Sequence, residues 1–137
     1  LSEWNVGVFL IDGNARVENV TLLNCWRGVY IVSDNNEVDS VTIESSQDSG
    51  IFIWNSNGNK IVNSIVINTN SCYRISAQGK DAINNELENN SATYCKKGFY
   101  LEGASDNTLS SNSVTYSDNG FYLKRYSSLW KSQSNDI

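Results

Sequence analysis

Large hydrophobic residues recur along the chain in one phrase, a glycine followed by alternating bulky side chains. The five copies of this phrase are residues 7–10, 28–31, 50–53, 98–101 and 120–123, and residues 72–75 form a degenerate copy that begins with cysteine. Successive copies begin 21, 22, 22, 26 and 22 residues apart. Self-similarity at a nearly fixed period of this length is typical of a solenoid.

A second, weaker motif lies between these phrases and consists of a polar residue, a variable residue and an aliphatic residue. Its copies begin at Asn14, Asn36, Asn59, Asp81 and Asn107. Short period-two runs punctuated by Asn, Ser, Gly and Asp indicate strand and turn, and no helical period is present. A strand cannot bury its face alone, so each coil must stack on the next at roughly 4.8 Å. We therefore predict an all-β, right-handed, single-stranded parallel β-helix of about six coils, with ~22 residues per coil, as one domain over 1–137.

Strand alternation divides the phrase residues into inward and outward sets. The predicted core consists of Val8, Val29, Ile51, Tyr73, Phe99 and Phe121, and beside them Leu10, Ile31, Ile53, Ile75, Leu101 and Leu123. The predicted outward residues are Phe9, Tyr30, Phe52, Arg74, Tyr100 and Tyr122, and two positions further on Ile11, Val32, Trp54, Ser76, Glu102 and Lys124. An asparagine that recurs at one turn can hydrogen-bond to its copies above and below, which predicts an internal amide ladder.

These glycine phrases and Asn-x-aliphatic motifs resemble the right-handed parallel β-helix repeat family, and they cover nearly the whole chain. That family includes pectate-lyase-like enzymes and the carbohydrate-binding and sugar-hydrolase repeats of microbial surface proteins. The resemblance implies the fold, but the family spans lyases, hydrolases, epimerases, phage spikes and inert spacers.

Two segments depart from the repeat. The coil over residues 72–97 replaces the glycine with Cys72 and is longer by four residues, which predicts a protruding loop near residues 80–90. Residues 124–137 are partly off-register, and we expect a lateral loop or a cap there, with Trp4 covering the opposite end. Residues 135–137 resemble the start of another motif, so we expect a processed chain or a piece of a longer one.

Net charge limits the partners. The chain carries a formal charge of -5, which argues against nucleic acid and anionic membranes because both need a basic face. No apolar run approaches the length of a membrane span. We expect an extracellular or cell-surface protein, in which the sequons at Asn19 and Asn89 could carry glycans.

Three cysteines, Cys25, Cys72 and Cys95, occur in the chain. Cys25 and Cys95 share a register but lie three coils apart, and Cys72 is shifted by three residues from Cys95 along the coil. Both separations exceed the ~7 Å that a disulfide allows between Cα atoms, so we predict three free, mostly buried thiols. The chain contains no His and no C-x-x-C pair, which predicts no metal site and no cofactor.

Candidate catalytic groups are few. Glu18 and Asp39 share an outward register about 5 Å apart, a spacing that suits Ca²⁺ or a retaining glycosidase but equally a solvated acidic surface. Arg74 is the only candidate for a lyase base. The acids expected near Arg74 are Asp81, Glu86 and Glu88. The His- and Pro-containing constellations of polygalacturonase-like enzymes and uronan epimerases cannot form, since the chain has neither residue. We predict no catalytic residue and leave enzymatic activity open, with a preference against it.

Charged residues also align between coils. Arg16, Glu37 and Lys60 share one outward register with alternating sign, which predicts mild salt bridges across the strands.

The outward aromatic stripe supplies the binding candidates Phe9, Tyr30, Phe52, Trp54, Tyr100 and Tyr122. Three interpretations remain open: a protein–protein contact, a platform for sugar rings, or stacking between coils alone. We predict a non-enzymatic extracellular structural or adhesive solenoid that self-associates as a fibre or oligomer, or binds partners, through its coil ends or this stripe. The alternative is a polysaccharide-binding or polysaccharide-degrading fragment of a larger protein, and a viral spike piece is a third possibility.

Overall fold

The computed structural model describes residues 5–125 and 135–137, and within these ranges the chain forms sixteen strands and no helix. Six longer strands pair side by side in sheet A. These are β1 (Val6–Leu10), β4 (Arg27–Ile31), β7 (Ser49–Trp54), β10 (Ser71–Ser76), β13 (Lys97–Glu102) and β16 (Asn119–Lys124).

Two sheets of five short strands complete each turn. Sheet B contains β2 (Arg16–Glu18), β5 (Glu37–Asp39), β8 (Lys60–Val62), β11 (Glu86–Glu88) and β14 (Thr108–Ser110). Sheet C contains β3 (Thr21–Leu23), β6 (Thr42–Glu44), β9 (Ile65–Ile67), β12 (Ser91–Thr93) and β15 (Ser113–Thr115). All pairings are parallel and join each coil to its neighbours. The chain is thus a parallel solenoid of about five turns plus a sixth long strand, close to the six coils predicted.

The register of sheet A confirms the alignment of the phrases, with Val29 opposite Ile51 and Tyr73 opposite Phe99. Most of the predicted core is buried. Val8 in the first coil is half-buried, and the exposed exceptions are Phe121 and Leu123, with 42% and 52% exposure. Both residues lie in β16, which pairs on only one side within the described residues, so no further long strand covers them.

Left-handed backbone marks the corner before each short strand and the corner before each long strand. The residues with positive φ at these corners include Asn14, Asn35, Gly58, Asn84 and Asp106; Asn19, Ser40, Asn63, Asn89 and Ser111; and Asn24, Ser45, Asn68, Tyr94 and Tyr116. Asparagine tolerates this conformation better than other residues with side chains, since its short amide can bond locally. The high Asn content is therefore a property of the corners.

The predicted amide ladder is present inside the solenoid. The Asn59 Oδ1 accepts hydrogen bonds from the backbone N–H of Asn36 at 2.9 Å and from its Nδ2 at 3.0 Å. Asn85, Asn107 and Asn135 repeat the contact in successive coils. A second ladder, which the sequence did not predict, joins Ser64 to Asn90 and Asn112 in the next corner column.

In the coil over residues 72–97, a larger side chain at the glycine position is matched by a smaller one at the position that it faces. A Cβ at Gly28 would lie 2.7 Å from the side chain of Ile43, which explains why the phrase begins with glycine. Cys72 occupies the glycine position in its coil, and Ala92 occupies the position that Ile43 holds. A smaller partner thus makes room for the thiol. The four extra residues lie within 77–84, earlier than predicted, because Glu86–Glu88 returns to the register of Lys60–Val62.

A disulfide joins Cys72 and Cys95, so the prediction of three free thiols was wrong. The two Cα atoms lie 5.9 Å apart. The sequence argument measured their offset along an extended strand, whereas the chain turns sharply between sheets C and A and shortens it. Cys25 is the free thiol, as predicted, and burial raises its pKa.

The ends of the solenoid are described only in part. Trp4 and residues 126–134 lie outside the described residues, as does most of the predicted cap. Asp136 forms a parallel bridge with Thr108, and Asn135 adds a rung to the amide ladder, which confirms that residues 135–137 begin another motif. In the part of the chain that the structure describes, no helix is long and apolar enough to cross a membrane.

Candidate functional site

The outer face of sheet A carries a column of stacked aromatic rings. Phe9 and Tyr30 stack with centroids 5.1 Å apart and an interplanar angle of 5°, and Tyr30 and Phe52 follow at 5.3 Å and 21°. Trp54 stacks on Tyr30 at 6.3 Å. Because neighbouring coils place ring on ring, the faces of the inner rings point along the solenoid axis and their edges point outward.

Cationic side chains lie among these rings. The Arg27 guanidinium lies 4.5 Å from the Tyr30 centroid and 4.9 Å from that of Phe52. Arg74, which replaces an aromatic residue in the column, lies 4.5 Å from Phe52 and 5.3 Å from Tyr100. Such cation–π contacts fix both the ring and the cation.

Lys97 completes the set at the other end of the face. Its Nζ lies 4.1 Å from the Tyr100 centroid and 5.0 Å from that of Tyr122. The stems of these cations cover the middle of the stripe, so Phe52 and Tyr100 are only 4% and 6% exposed. The predicted stripe is therefore most exposed at its ends, at Phe9 and Tyr122, and Tyr30 and Trp54 between them are half-buried.

Two carboxylates order the cations. The Arg27 Nε donates to the Asp48 Oδ2 at 2.7 Å. Glu102 accepts hydrogen bonds from the Arg74 Nη2 and the Lys124 Nζ, both at 3.1 Å. The buried Nε of Arg74 has no hydrogen-bond partner among the described residues. The result is a chain of alternating charge that crosses the face from coil to coil.

Glu102 is charged in spite of its burial. Burial is the largest influence and raises its pKa, but hydrogen bonds from Lys124, Tyr100 and Arg74 together outweigh it and bring the pKa below the ordinary glutamate value. Burial, and then the charge of Glu102, raises the pKa of the Tyr100 hydroxyl. The cluster therefore keeps its ion pairs at neutral pH.

A shallow groove of about 240 Å³ opens between these side chains. It is lined by Arg27, Tyr30, Phe52, Trp54, Arg74 and Gln78. Guanidinium groups and an indole edge at one opening are suited to a carboxylate attached to a sugar ring.

Charge is distributed unevenly over the solenoid. The strands of sheet A have four cations, Arg27, Arg74, Lys97 and Lys124, against the one anion Glu102. The column just before these strands adds the cation Lys96 and the anions Asp48 and Asp118, which leaves an excess of cations. The outer face of sheet B has two cations, Arg16 and Lys60, against the five anions Glu18, Glu37, Asp39, Glu86 and Glu88. One face of this acidic chain is thus basic.

The acidic pair proposed as a calcium or glycosidase site aligns as predicted, but both of its carboxylates are paired with Arg16. Glu18 lies opposite Asp39, and the Arg16 Nη2 approaches their carboxylates at 3.0 Å and 3.3 Å. Asn63 and Ser40 donate hydrogen bonds to Asp39 and lower its pKa. The carboxylate oxygens of Glu18 and Asp39 are therefore engaged by neighbouring side chains of the sheet. This argues against their use as metal ligands or as catalytic acid and base.

One predicted salt bridge of sheet B, between Arg16 and Glu37, is present, whereas Lys60 pairs with Glu86 rather than with Glu37. Arg16 lies 3.9 Å from Glu37, and Lys60 lies 3.6 Å from Glu86.

The acids expected beside Arg74 lie elsewhere. Glu86 and Glu88 belong to sheet B, and Asp81 lies in the inserted turn. Arg74 instead pairs with Glu102 at 3.1 Å and approaches Asp48 at 3.9 Å. The sequence argument chose acids close in the chain, whereas parallel stacking brings together residues about one coil apart. That spacing is the signal that would have found Asp48 and Glu102.

Metal-ligating residues are scarce. Across the parts of the chain that the structure describes, no group of three His, Cys, Asp or Glu side chains could hold a metal ion. Two of the three cysteines are joined in the disulfide, and the whole sequence contains no His and no Met.

Comparison with known proteins identifies a family. No curated protein matches the chain, and no solved structure does either. The family described as periplasmic copper-binding protein (NosD) matches residues 2–137. The match spans nearly the whole chain, and the structure has the parallel β-helix repeats that the sequence predicts. The chain therefore belongs to the NosD family.

Proposed function

We propose that this chain is a non-catalytic β-solenoid module of an envelope or extracellular protein, and that it binds acidic polysaccharide through the outer face of sheet A. One observation carries the proposal: this face has an excess of cations although the chain has a net charge of -5. A basic face on an acidic protein concentrates an anionic polymer at that surface alone.

The location is supported by two features. The family is described as periplasmic, and the chain contains a buried disulfide between Cys72 and Cys95. Disulfides persist in the periplasm and outside the cell, and they are rare in the cytosol. Cell-surface attachment remains a prediction.

Copper does not fit the residues of this chain. Copper is held in proteins chiefly by thiolate, thioether and imidazole groups. Only Cys25 remains as a free soft ligand, and burial raises its pKa and so disfavours the thiolate. We infer that this stretch acts as a scaffold in relation to the copper binding named for its family. The absence of any other cofactor remains a prediction.

The form of the face favours a uronate polymer over a neutral glycan at this position. The inner rings offer edges, so a sugar cannot stack on them face to face. Arg27, Arg74 and Lys97 present donors to carboxylates, and Trp54 adds an apolar edge beside them. These three cations lie on different coils, so together they can contact several units of one polymer along the axis.

Affinity electrophoresis tests the proposal. Migration is compared in gels that contain polygalacturonate, alginate, or neutral dextran. We expect retardation in the two acidic gels alone, and a weakening of about threefold in the Lys97→Gln variant. Lys60→Gln removes the same charge from sheet B and is the matched control, which should bind as the wild type does. Equal retardation in dextran, or equal loss in both variants, contradicts the proposal.

Self-association is a second candidate, favoured by the exposed edge of the first coil. Phe9 and Ile11 are 52% and 60% exposed there, and β1 pairs on one side only within the described residues. An unpaired strand edge can template another chain. Light scattering tests it: a mass that rises with concentration supports end-to-end association, and a constant monomer mass opposes it.

A further inference from the structure

The corner between sheets C and A contains two tyrosines in an unfavourable backbone conformation. Tyr94 and Tyr116 have φ values of 56° and 50°. The same corner column in the other coils holds Asn24, Ser45 and Asn68. A bulky residue with positive φ is an outlier, and such strain concentrates at sites of function.

Burial does not offset this strain. Tyr94 and Tyr116 are 59% and 77% exposed, among the most exposed of the large side chains described. Their rings stack on each other with centroids 5.1 Å apart and an interplanar angle of 14°. Tyr116 therefore holds the Tyr94 ring parallel to the coils, and the opposite face of Tyr94 points towards the coil of Asn68, which carries a small side chain at this corner.

A groove of about 370 Å³ lies on that side of the Tyr94 ring. Its lining includes Gln47, Asn68 and Asn70, together with Lys96.

We propose that this groove binds a neutral pyranose oligosaccharide, with one sugar ring stacked on the free face of Tyr94. The C–H groups of a pyranose face suit an aromatic ring, and amides and hydroxyls suit its hydroxyl rim because each can donate and accept. The side chains of Gln47, Asn68 and Asn70 in this lining are uncharged amides, and Lys96 can also donate to a sugar hydroxyl. The groove is a separate site that does not rest on the basic face of sheet A.

Isothermal titration with neutral hexasaccharides of β-1,4-linked glucose, mannose and N-acetylglucosamine tests the site. We expect at least one of them to bind the wild type with saturation, and Tyr94→Asn to weaken that binding about tenfold. The variant restores the usual residue of this corner, so it should fold with unchanged or higher stability.

Tyr116→Asn is the matched control, because it removes the same residue from the same column outside the groove. It should weaken binding less than Tyr94→Asn does. No saturable binding by any of the three sugars, or undiminished binding by a folded Tyr94→Asn variant, overturns the proposal. Retardation by polygalacturonate should be the same in Tyr94→Asn and the wild type, so the two proposed sites can fail independently.

Discussion

At the residue scale, the fourth coil shows how one position adjusts to another. A side chain at the phrase glycine would collide with the aliphatic residue across the corner, yet Cys72 is accommodated because that residue is Ala92. The thiol can then reach Cys95, whose Cα atom lies 5.9 Å away. The space left by the small side chain of Ala92 thus allows the disulfide to form, and the disulfide lies within the longest coil.

Loss of this disulfide should destabilise the protein. Cys95→Ser removes a crosslink between residues separated by 23 positions. It should lower the free energy of unfolding by about 3 kcal/mol, because the unfolded chain gains freedom. Urea denaturation with and without reductant measures the change.

Cys25→Ser is the control, since it leaves the crosslink intact. Its unfolding midpoint should still fall when reductant is added, whereas that of Cys95→Ser should not respond. A wild-type midpoint that does not depend on reductant would show that this disulfide is not formed.

Glu102 should make stability depend on pH. Its pKa lies below the ordinary value of 4.5 in the folded protein. Its contribution is therefore complete above pH 4.5 and disappears as the pH falls through the lower folded value. Glu102→Gln should cost about 2 kcal/mol at neutral pH and progressively less as the pH falls below 4.5 through the folded pKa. Denaturation curves at several pH values give the difference, and a cost that is constant with pH would contradict the ion-pair account.

At the element scale, the repeat period of the sequence determines which strands pair in each sheet. The left-handed backbone at the corners explains the frequent Asn residues there. Alternation predicted the inward residues of sheet A and the amide ladder, because both repeat once per coil. The rest was not predictable from the period. The offset of Cys72 from Cys95 depends on how sharply a corner turns, and the covering of Phe52 and Tyr100 depends on the rotamers of long cations on neighbouring strands.

The ladder should be a major source of stability. The Asn85 Oδ1 accepts hydrogen bonds from the backbone N–H and the side-chain Nδ2 of Asn59. The Asn85 Nδ2 in turn donates to the Asn107 Oδ1 at 3.0 Å. Asn85→Ala should cost about 3 kcal/mol, since it leaves buried donors without partners. Thermal or urea unfolding measures the loss.

The neighbouring Asn84 provides the control. It is exposed and has a φ of 55°, which glycine adopts freely, so Asn84→Gly should change stability little. Similar costs for both variants would contradict a special role for the ladder.

At the scale of the whole molecule, the solenoid separates its charges between faces. The outer face of sheet A carries cations among aromatic rings, and the outer face of sheet B carries mostly carboxylates. The interior consists of aliphatic side chains and the amide ladders. This polarity could not be read from a net charge of -5. It follows from which residues recur at one outward register, and it supports a binding face on an otherwise acidic module.

Copper binding by this chain should be absent. After loading with Cu(I) or Cu(II) and dialysis against a competing chelator, the protein should retain no copper, because the chain has no His and no Met and one free, buried thiol. Elemental analysis measures the ratio of metal to protein. Retention of one equivalent, lost in Cys25→Ser, would show that the scaffold assignment is wrong.

The central claim is that the outer face of sheet A binds acidic polysaccharide, and its most direct test is the binding of oligogalacturonate by isothermal titration at low and at physiological ionic strength. We predict saturable binding that weakens as salt is added and weakens further in Lys97→Gln, since the contacts are between cations and carboxylates. The absence of binding at low ionic strength, or binding of the same strength in both salts and in Lys97→Gln, would contradict the account.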